Sequence, residues 1–181
     1  REIALRSVAE PPRSRRDVCV LGHAKLGFRP ADEVAIVRGC DHVVEQYDLS
    51  TLPIPDCLGD FGCWTVTPGV CVQPGPHRDV ARALIQSDLV IWLTSVTFGG
   101  YSSVLKRFLD HCIPLVSPKF AKVDGETHHE PRYERFPSLL VVGLQERPEE
   151  ASRHVFERLV GYYFPLVAGA EIAYSGGLLT L

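Results

Sequence analysis

Apolar and polar positions fall into blocks along the chain, short apolar runs exchanging with stretches of helical period. Residues 17–22 (DVCVLG) are an apolar run closed by glycine, which predicts a buried strand. Residues 42–49 (HVVEQYDL) predict a second strand. Between them, 31–38 form a weak helical stretch that starts behind Pro30 and ends at Gly39. Residues 77–86 place Val80, Ala81, Leu84 and Ile85 at helical spacing. The most apolar run, 88–95 (DLVIWLTS), predicts the strand at the centre of the sheet. Residues 101–113 are helical, with Val104, Leu105, Phe108 and Leu109 on one face. A strand at 137–144 and a helix at 148–164 follow, the helix led by Glu149 and Glu150 at the positive end of its dipole. Residues 171–181 predict a last strand. Two long segments, 50–76 and 114–137, lack a period and read as loops, and loops of that length are usually functional.

Strands that alternate with helices predict an α/β fold, a parallel sheet with helices on both faces. Five strands at this spacing fit the doubly wound order 2-1-3-4-5. Ligands of such sheets bind outside the carboxyl ends of the strands, where the first and third diverge. Segments 22–30, 57–76, 95–101 and 124–137 are therefore the expected walls of a site.

Composition narrows this. The 181 residues make one domain at 17–181, preceded by a basic arm at 1–16 with five arginines against two glutamates. Apolar residues at 45 % and charged residues at 23 % exclude a largely disordered chain. A net charge of −3 argues against a nucleic-acid partner. No apolar run approaches the roughly 20 residues of a membrane span, and no apolar stretch of a signal peptide follows Arg1. Six cysteines in such a chain suggest reduced thiols in a cytoplasmic setting rather than three disulfides. The chain contains no methionine, which suggests a piece of a longer protein or a sequence from which some residues are missing.

Three stretches carry the chemistry. The first runs from Cys57 through Cys63 and Trp64 to Pro68, Gly69 and Cys71. The second is Thr94-Ser95-Val96-Thr97-Phe98-Gly99-Gly100-Tyr101, followed by Lys106 and Asp110. The third is Gly125-Glu126-Thr127-His128-His129, with Arg132 and Tyr133 close behind. Together they resemble the flavodoxin-like NAD(P)H-dependent FMN reductase family, with its iron–sulfur flavoprotein relatives, over roughly residues 17–150. The resemblance implies a flavodoxin-like three-layer fold, FMN as cofactor, NAD(P)H as co-substrate, and a flavin, quinone or similar small molecule as electron acceptor. It also implies a homodimer or homotetramer.

In that family a Thr-Pro-x-Tyr/Phe-Gly loop after the third strand approaches the flavin, which places Thr94, Ser95, Val96, Thr97, Phe98, Gly99, Gly100 and Tyr101 at the cofactor. Ser95 stands where the family has proline. A flat ring needs close backbone approach and hydrogen bonds to its carbonyls and N5. The family's phosphate loop is rich in hydroxyls, whereas residues 22–30 here (GHAKLGFRP) contain none. His23, Lys25 and Arg29 are the groups that would neutralise a phosphate instead. The resemblance further implies that His128 and Arg132 border the flavin pocket or a dimer partner. No catalytic acid, base or metal ligand is expected, since the cofactor carries the chemistry. The iron–sulfur relatives carry four cysteines where this chain has Cys57, Asp60, Cys63 and Cys71, so a cluster, a zinc, buried free thiols or a loop staple all stay open there. Two further alternatives are a flavodoxin-like binding or regulatory module without flavin and an electron-transfer iron–sulfur flavoprotein. Lys106 and Asp110, four apart on one helix, read as a structural pair.

Overall fold

The most apolar run does take the middle of the sheet. The computed structural model describes residues 17–22, 43–123, 125–145, 147 and 149–163. In chain order they form β1 (Asp17–Gly22), β2 (Val43–Asp48), α1 (Gly62–Thr65), α2 (His77–Gln86), β3 (Leu89–Ser95), α3 (Ser103–Asp110), a 3-10 turn (Ile113–Leu115), β4 (Val116–Val123), β5 (Glu126–Pro131), β6 (Ser138–Leu144) and α4 (Glu150–Tyr163). Strands β2, β1, β3 and β6 lie in that order in one sheet. Every pairing is parallel, with Val20 beside Ile91 and Ile91 beside Leu140. This reproduces the first four positions of the order 2-1-3-4-5. The segments read as the basic arm (1–16), the first helix (31–38) and the fifth strand (171–181) lie outside the described residues.

Strand β3 is buried on both faces, which is why it reads as an unbroken apolar run. Val90 and Trp92 face one side, where they join Cys19, Leu21, Leu139 and Val141 in the main core. The described helices supply the other half of that core: Val80 and Leu84 from α2, Leu105 and Phe108 from α3, Phe156 and Val160 from α4. Ile91 and Leu93 face the opposite side and form a second buried cluster with Val18 and Val20. Helix α2 has the expected bounds, and α3 is trimmed to 103–110 because the Ser102 hydroxyl caps it by accepting the Leu105 N–H at 3.2 Å.

Segment 114–137 corrects an expectation. It is not a loop. Strands β4 and β5 form an antiparallel two-stranded ribbon, with Phe120 opposite His129 and an irregularity between Val116 and Phe120. The 50–76 segment is largely irregular, as read, but it contains the single turn α1.

Gly143 in β6 shows how closely the core is packed. A Cβ there would come within 2.7 Å of Phe156 Cε1 and 2.8 Å of Val96 Cγ2. Gly143→Ala is expected to lower stability by about 1–3 kcal/mol through overpacking. Urea denaturation measures this, and an unchanged midpoint would reject the packing.

Candidate functional site

Strands β1 and β3 run side by side while their outer neighbours, β2 and β6, lie on opposite sides of the pair. The crevice outside Gly22 and Ser95 is therefore the switch point at which such sheets take ligands. Thr94, fully buried, organises this end of β3. Its Oγ1 accepts the Ser102 N–H at 2.9 Å and donates to the Ser95 carbonyl at 3.1 Å. Between these anchors the chain turns back on itself. Thr97 and Gly100 exchange both backbone hydrogen bonds, at 3.0 and 2.9 Å. Phe98 and Gly99 at the tip have φ of 51° and 75°. Positive φ at both central positions makes this a two-residue hairpin turn.

Gly99 is the expected residue for such a turn, and Phe98 is not. A left-handed conformation costs a bulky L-residue about 1–2 kcal/mol. The Phe98 side chain gains nothing from the protein in return, being 99 % exposed. Gly99 faces inward, where an added Cβ would come within 2.7 Å of Val155 Cγ1 on α4. Tyr101 is buried too, packed edge-on against Trp92 and Phe156. Of the cofactor residues read from 94–101, the structure thus leaves Ser95, Val96, Thr97, Phe98 and Gly100 on the accessible side. Thr94, Gly99 and Tyr101 hold the turn in place.

Arg132 and both ribbon histidines are held by partners within the chain. Arg132 Nε donates to the Pro114 carbonyl at 2.8 Å, and its Nη2 reaches the Val116 carbonyl at 3.4 Å. His128 pairs with Glu126 at 3.2 Å. His129 Nδ1 donates to the Ser117 carbonyl at 2.8 Å, and its ring contacts Trp64 and Phe120. Trp64 stacks on Phe61 and donates its indole N–H to the carbonyls of Ile113 and Val116. Phe61, Trp64, His129 and Phe120 thus form an aromatic ladder that ties the cysteine segment to the ribbon. Lys106 and Asp110 do form the expected ion pair on α3. His23, Lys25 and Arg29 lie outside the described residues.

The cysteine segment lines a cavity of about 290 Å³ with Cys57, Asp60, Cys63, Cys71 and His111 among its walls. Asp60 is already used, its Oδ1 accepting the Gly62 N–H at 3.0 Å. Cys63 and Cys71 are buried, and burial pushes both thiols up from their usual range. The Cys71 Sγ lies 3.3 Å from His111 Nδ1. The His111 ring stacks on His77 at 4.1 Å between centroids. His77, also buried, is held below the usual histidine range first by desolvation and then by His111. Neither histidine stands out in the sequence. The spacing from Cys71 to His77 is a weak signal, and His111 lies forty residues from Cys71.

Residues 27–161 match the family of NADPH-dependent FMN reductases. The chain belongs to that family. It is a flavin-dependent oxidoreductase with FMN as cofactor and NAD(P)H as co-substrate. Solved structures share the fold at low identity. A protein of Streptococcus mutans UA159, Smu.1420, is 12 % identical with a TM-score of 0.62, over 88 % of this chain and 86 % of that one. An azoreductase of Bacillus anthracis str. Sterne is 13 % identical with a TM-score of 0.56, over 88 % and 85 %. An NAD(P)H:quinone oxidoreductase of Methanothermobacter marburgensis is 14 % identical with a TM-score of 0.53, over 90 % and 86 %. No curated protein matches the sequence. No described helix is long and apolar enough to cross a membrane.

The thiols of this FMN reductase family member should differ sharply in reactivity. Cys57 is exposed, whereas Cys19 is buried and its thiol is pushed up to about 12 by desolvation and then by Glu45. Since the thiolate is the nucleophile, iodoacetamide at pH 8 should modify Cys57 well before Cys19, Cys63 or Cys71 in the folded chain. Peptide mass mapping over time checks this, and equal rates at Cys57 and Cys19 would contradict the burial.

Proposed function

We propose that the chain reduces FMN, a quinone or a similar small acceptor with electrons from NAD(P)H, at the lip formed by residues 95–100. The observation that carries this reading is Phe98. A fully exposed aromatic ring is held in a strained conformation at the switch point of the sheet. The closure between Thr94 and Ser102 imposes the strained backbone, and it presents to whatever binds at this lip a ring that is left exposed.

The residues fit a flavin. A ring system needs an apolar surface beside accessible backbone polar groups. The hairpin turn supplies both, because its two hydrogen bonds use Thr97 and Gly100 and leave the Phe98 amide outside the pair. Phe98 would offer its face to the isoalloxazine, and Ser95 its hydroxyl to a ring heteroatom. His23, Lys25 and Arg29 follow Gly22, the last residue of β1, in sequence, and would supply the charge for the phosphate. Bound FMN would supply two-electron chemistry, accepting hydride from the nicotinamide and passing it to the acceptor. The chain itself needs no nucleophile. Its task is to orient the two partners in turn and keep water from the reacting face. We extend the reading to a homodimer or homotetramer in which a second copy covers the open side of Phe98. A cytoplasmic setting fits the five free cysteines among the described residues.

The purified chain should retain FMN after gel filtration and oxidise NAD(P)H in the presence of a quinone. A chain that stays colourless after FMN is added and the excess removed would sink the proposal and leave a module without flavin. Phe98→Gly separates function from fold. Relief of the left-handed strain should leave the FMN-free chain as stable as before, or more stable by about 1 kcal/mol. Flavin affinity should fall about tenfold, roughly 1.4 kcal/mol. Unchanged affinity by fluorescence titration would remove Phe98 from the site.

A further inference from the structure

We propose that Cys71, His77 and His111 form a binding site for a zinc-type divalent cation, separate from the flavin site. One donor atom from each of the three lies within 4.8 Å of the other two, and all three residues are buried. Among the described residues this is the only such grouping. Cys57 and Cys63 do not belong to it, although both line the adjoining cavity.

The hydrogen bonds around the two rings decide what the rings can do. A carbonyl oxygen only accepts, so the ring nitrogen facing it must carry the proton. His77 Nε2 lies 3.1 Å from the Gln73 carbonyl, and His111 Nε2 lies 2.7 Å from the Pro55 carbonyl. Both rings are thereby fixed as Nε2–H tautomers, with a lone pair on each Nδ1. This is the arrangement that orients metal-ligating histidines, whose other nitrogen donates to a carbonyl or carboxylate. His111 Nδ1 faces the Cys71 sulfur at 3.3 Å. His77 Nδ1 is buried and has no hydrogen-bond partner among the described residues. A buried nitrogen left with an unused lone pair costs stability, and a cation would remove that cost.

The two rings lie side by side, 4.1 Å between centroids. His111 follows the last residue of α3, where unpaired carbonyls give the helix end a partial negative charge. One sulfur and two imidazole nitrogens suit zinc, which prefers tetrahedral sites with such donors. Three protein ligands leave a fourth position. The cavity lined by Cys71 and His111 gives a water molecule access to it. On binding, the Cys71 S–H bond breaks, the thiolate takes the metal, and one proton leaves to solvent.

The site is distinct from the flavin lip. Ser102, at the start of α3, is tied to Thr94, whereas His111 follows its end. The eight residues of α3 between them span about 12 Å.

The test uses the full chain, loaded with zinc and then dialysed against metal-free buffer. One zinc per chain is expected by elemental analysis. X-ray absorption should show one sulfur at about 2.3 Å and two nitrogens at about 2.0–2.1 Å. Cobalt(II) in place of zinc should give intense tetrahedral bands in the red, beyond flavin absorption. Cys71→Ser, His77→Gln and His111→Gln should each lower zinc affinity by more than about 100-fold. Cys57→Ser should leave the cobalt spectrum intact. A native chain that retains no zinc would overturn the proposal. So would a first shell without sulfur, or a cobalt spectrum that survives in folded Cys71→Ser. The X-ray measurement needs no variant, so a substitution that fails to fold does not remove the test.

Discussion

One buried hydroxyl holds the carboxyl end of the sheet together. Thr94 has no exposed surface, and its Oγ1 is the acceptor for the Ser102 N–H, eight positions along the chain. Ser102 in turn caps α3 through its own side chain. A strand end and a helix start are thereby fixed relative to each other. Tyr101, packed on Trp92 and Phe156, fixes the returning chain a second time. Residues 95–100 must leave and return between these anchors, and the tight turn at Phe98 and Gly99 is the short way to do it. The strain at Phe98 is imposed by this closure, because an unpaired buried N–H at Ser102 would cost about 1–3 kcal/mol. The exposed ring follows from a constraint several residues away.

What could be read from the sequence follows the same physics. β1, β3 and β6 are legible because strands covered on both faces must be apolar throughout. α2 is legible because its buried residues, Val80, Ala81, Leu84 and Ile85, repeat at the helical period. The β4–β5 ribbon is not legible. It contains Pro118, Lys119 and an exposed Phe120, and no alternation marks a buried face. Its support comes from residues distant in sequence, above all Trp64, whose indole N–H reaches two carbonyls near the start of β4. The stretch at 95–101 reads in the sequence as a site wall, but the sequence does not show which way each residue faces. Gly99 looks like a place for close ligand approach, and the structure uses its small size against Val155.

The cations of the ribbon make a related point. After α3 the chain passes through a 3-10 turn in which the Ile113 carbonyl accepts the Val116 N–H, while the carbonyls of Pro114 and Val116 take side-chain donors. Buried carbonyls need donors. Trp64 and Arg132 supply them from two different segments. A positive side chain expected to border a flavin pocket or a dimer partner invites a binding role, yet this guanidinium is committed to backbone oxygens. Such a group can still border a ligand pocket, but it does so as part of the wall.

Helix α3 joins two devices that share no hydrogen bond. Its first turn is fastened to β3 and the 95–100 turn, and its last turn carries His111 into contact with Cys71. The 50–76 segment, by contrast, has one short helical turn and few regular bonds of its own. Pro55 and Gln73, near its two ends, accept from His111 and His77. A cation at Cys71, His77 and His111 would close this long segment onto α2 and α3 in the folded state only. Because a long irregular loop has much conformational freedom to lose, such a tie would favour the native fold. Its expected effect therefore falls on the order of the cysteine segment and the ribbon stacked on Trp64, and it leaves the geometry at Thr94 and Phe98 to the hydroxyls that already fix it.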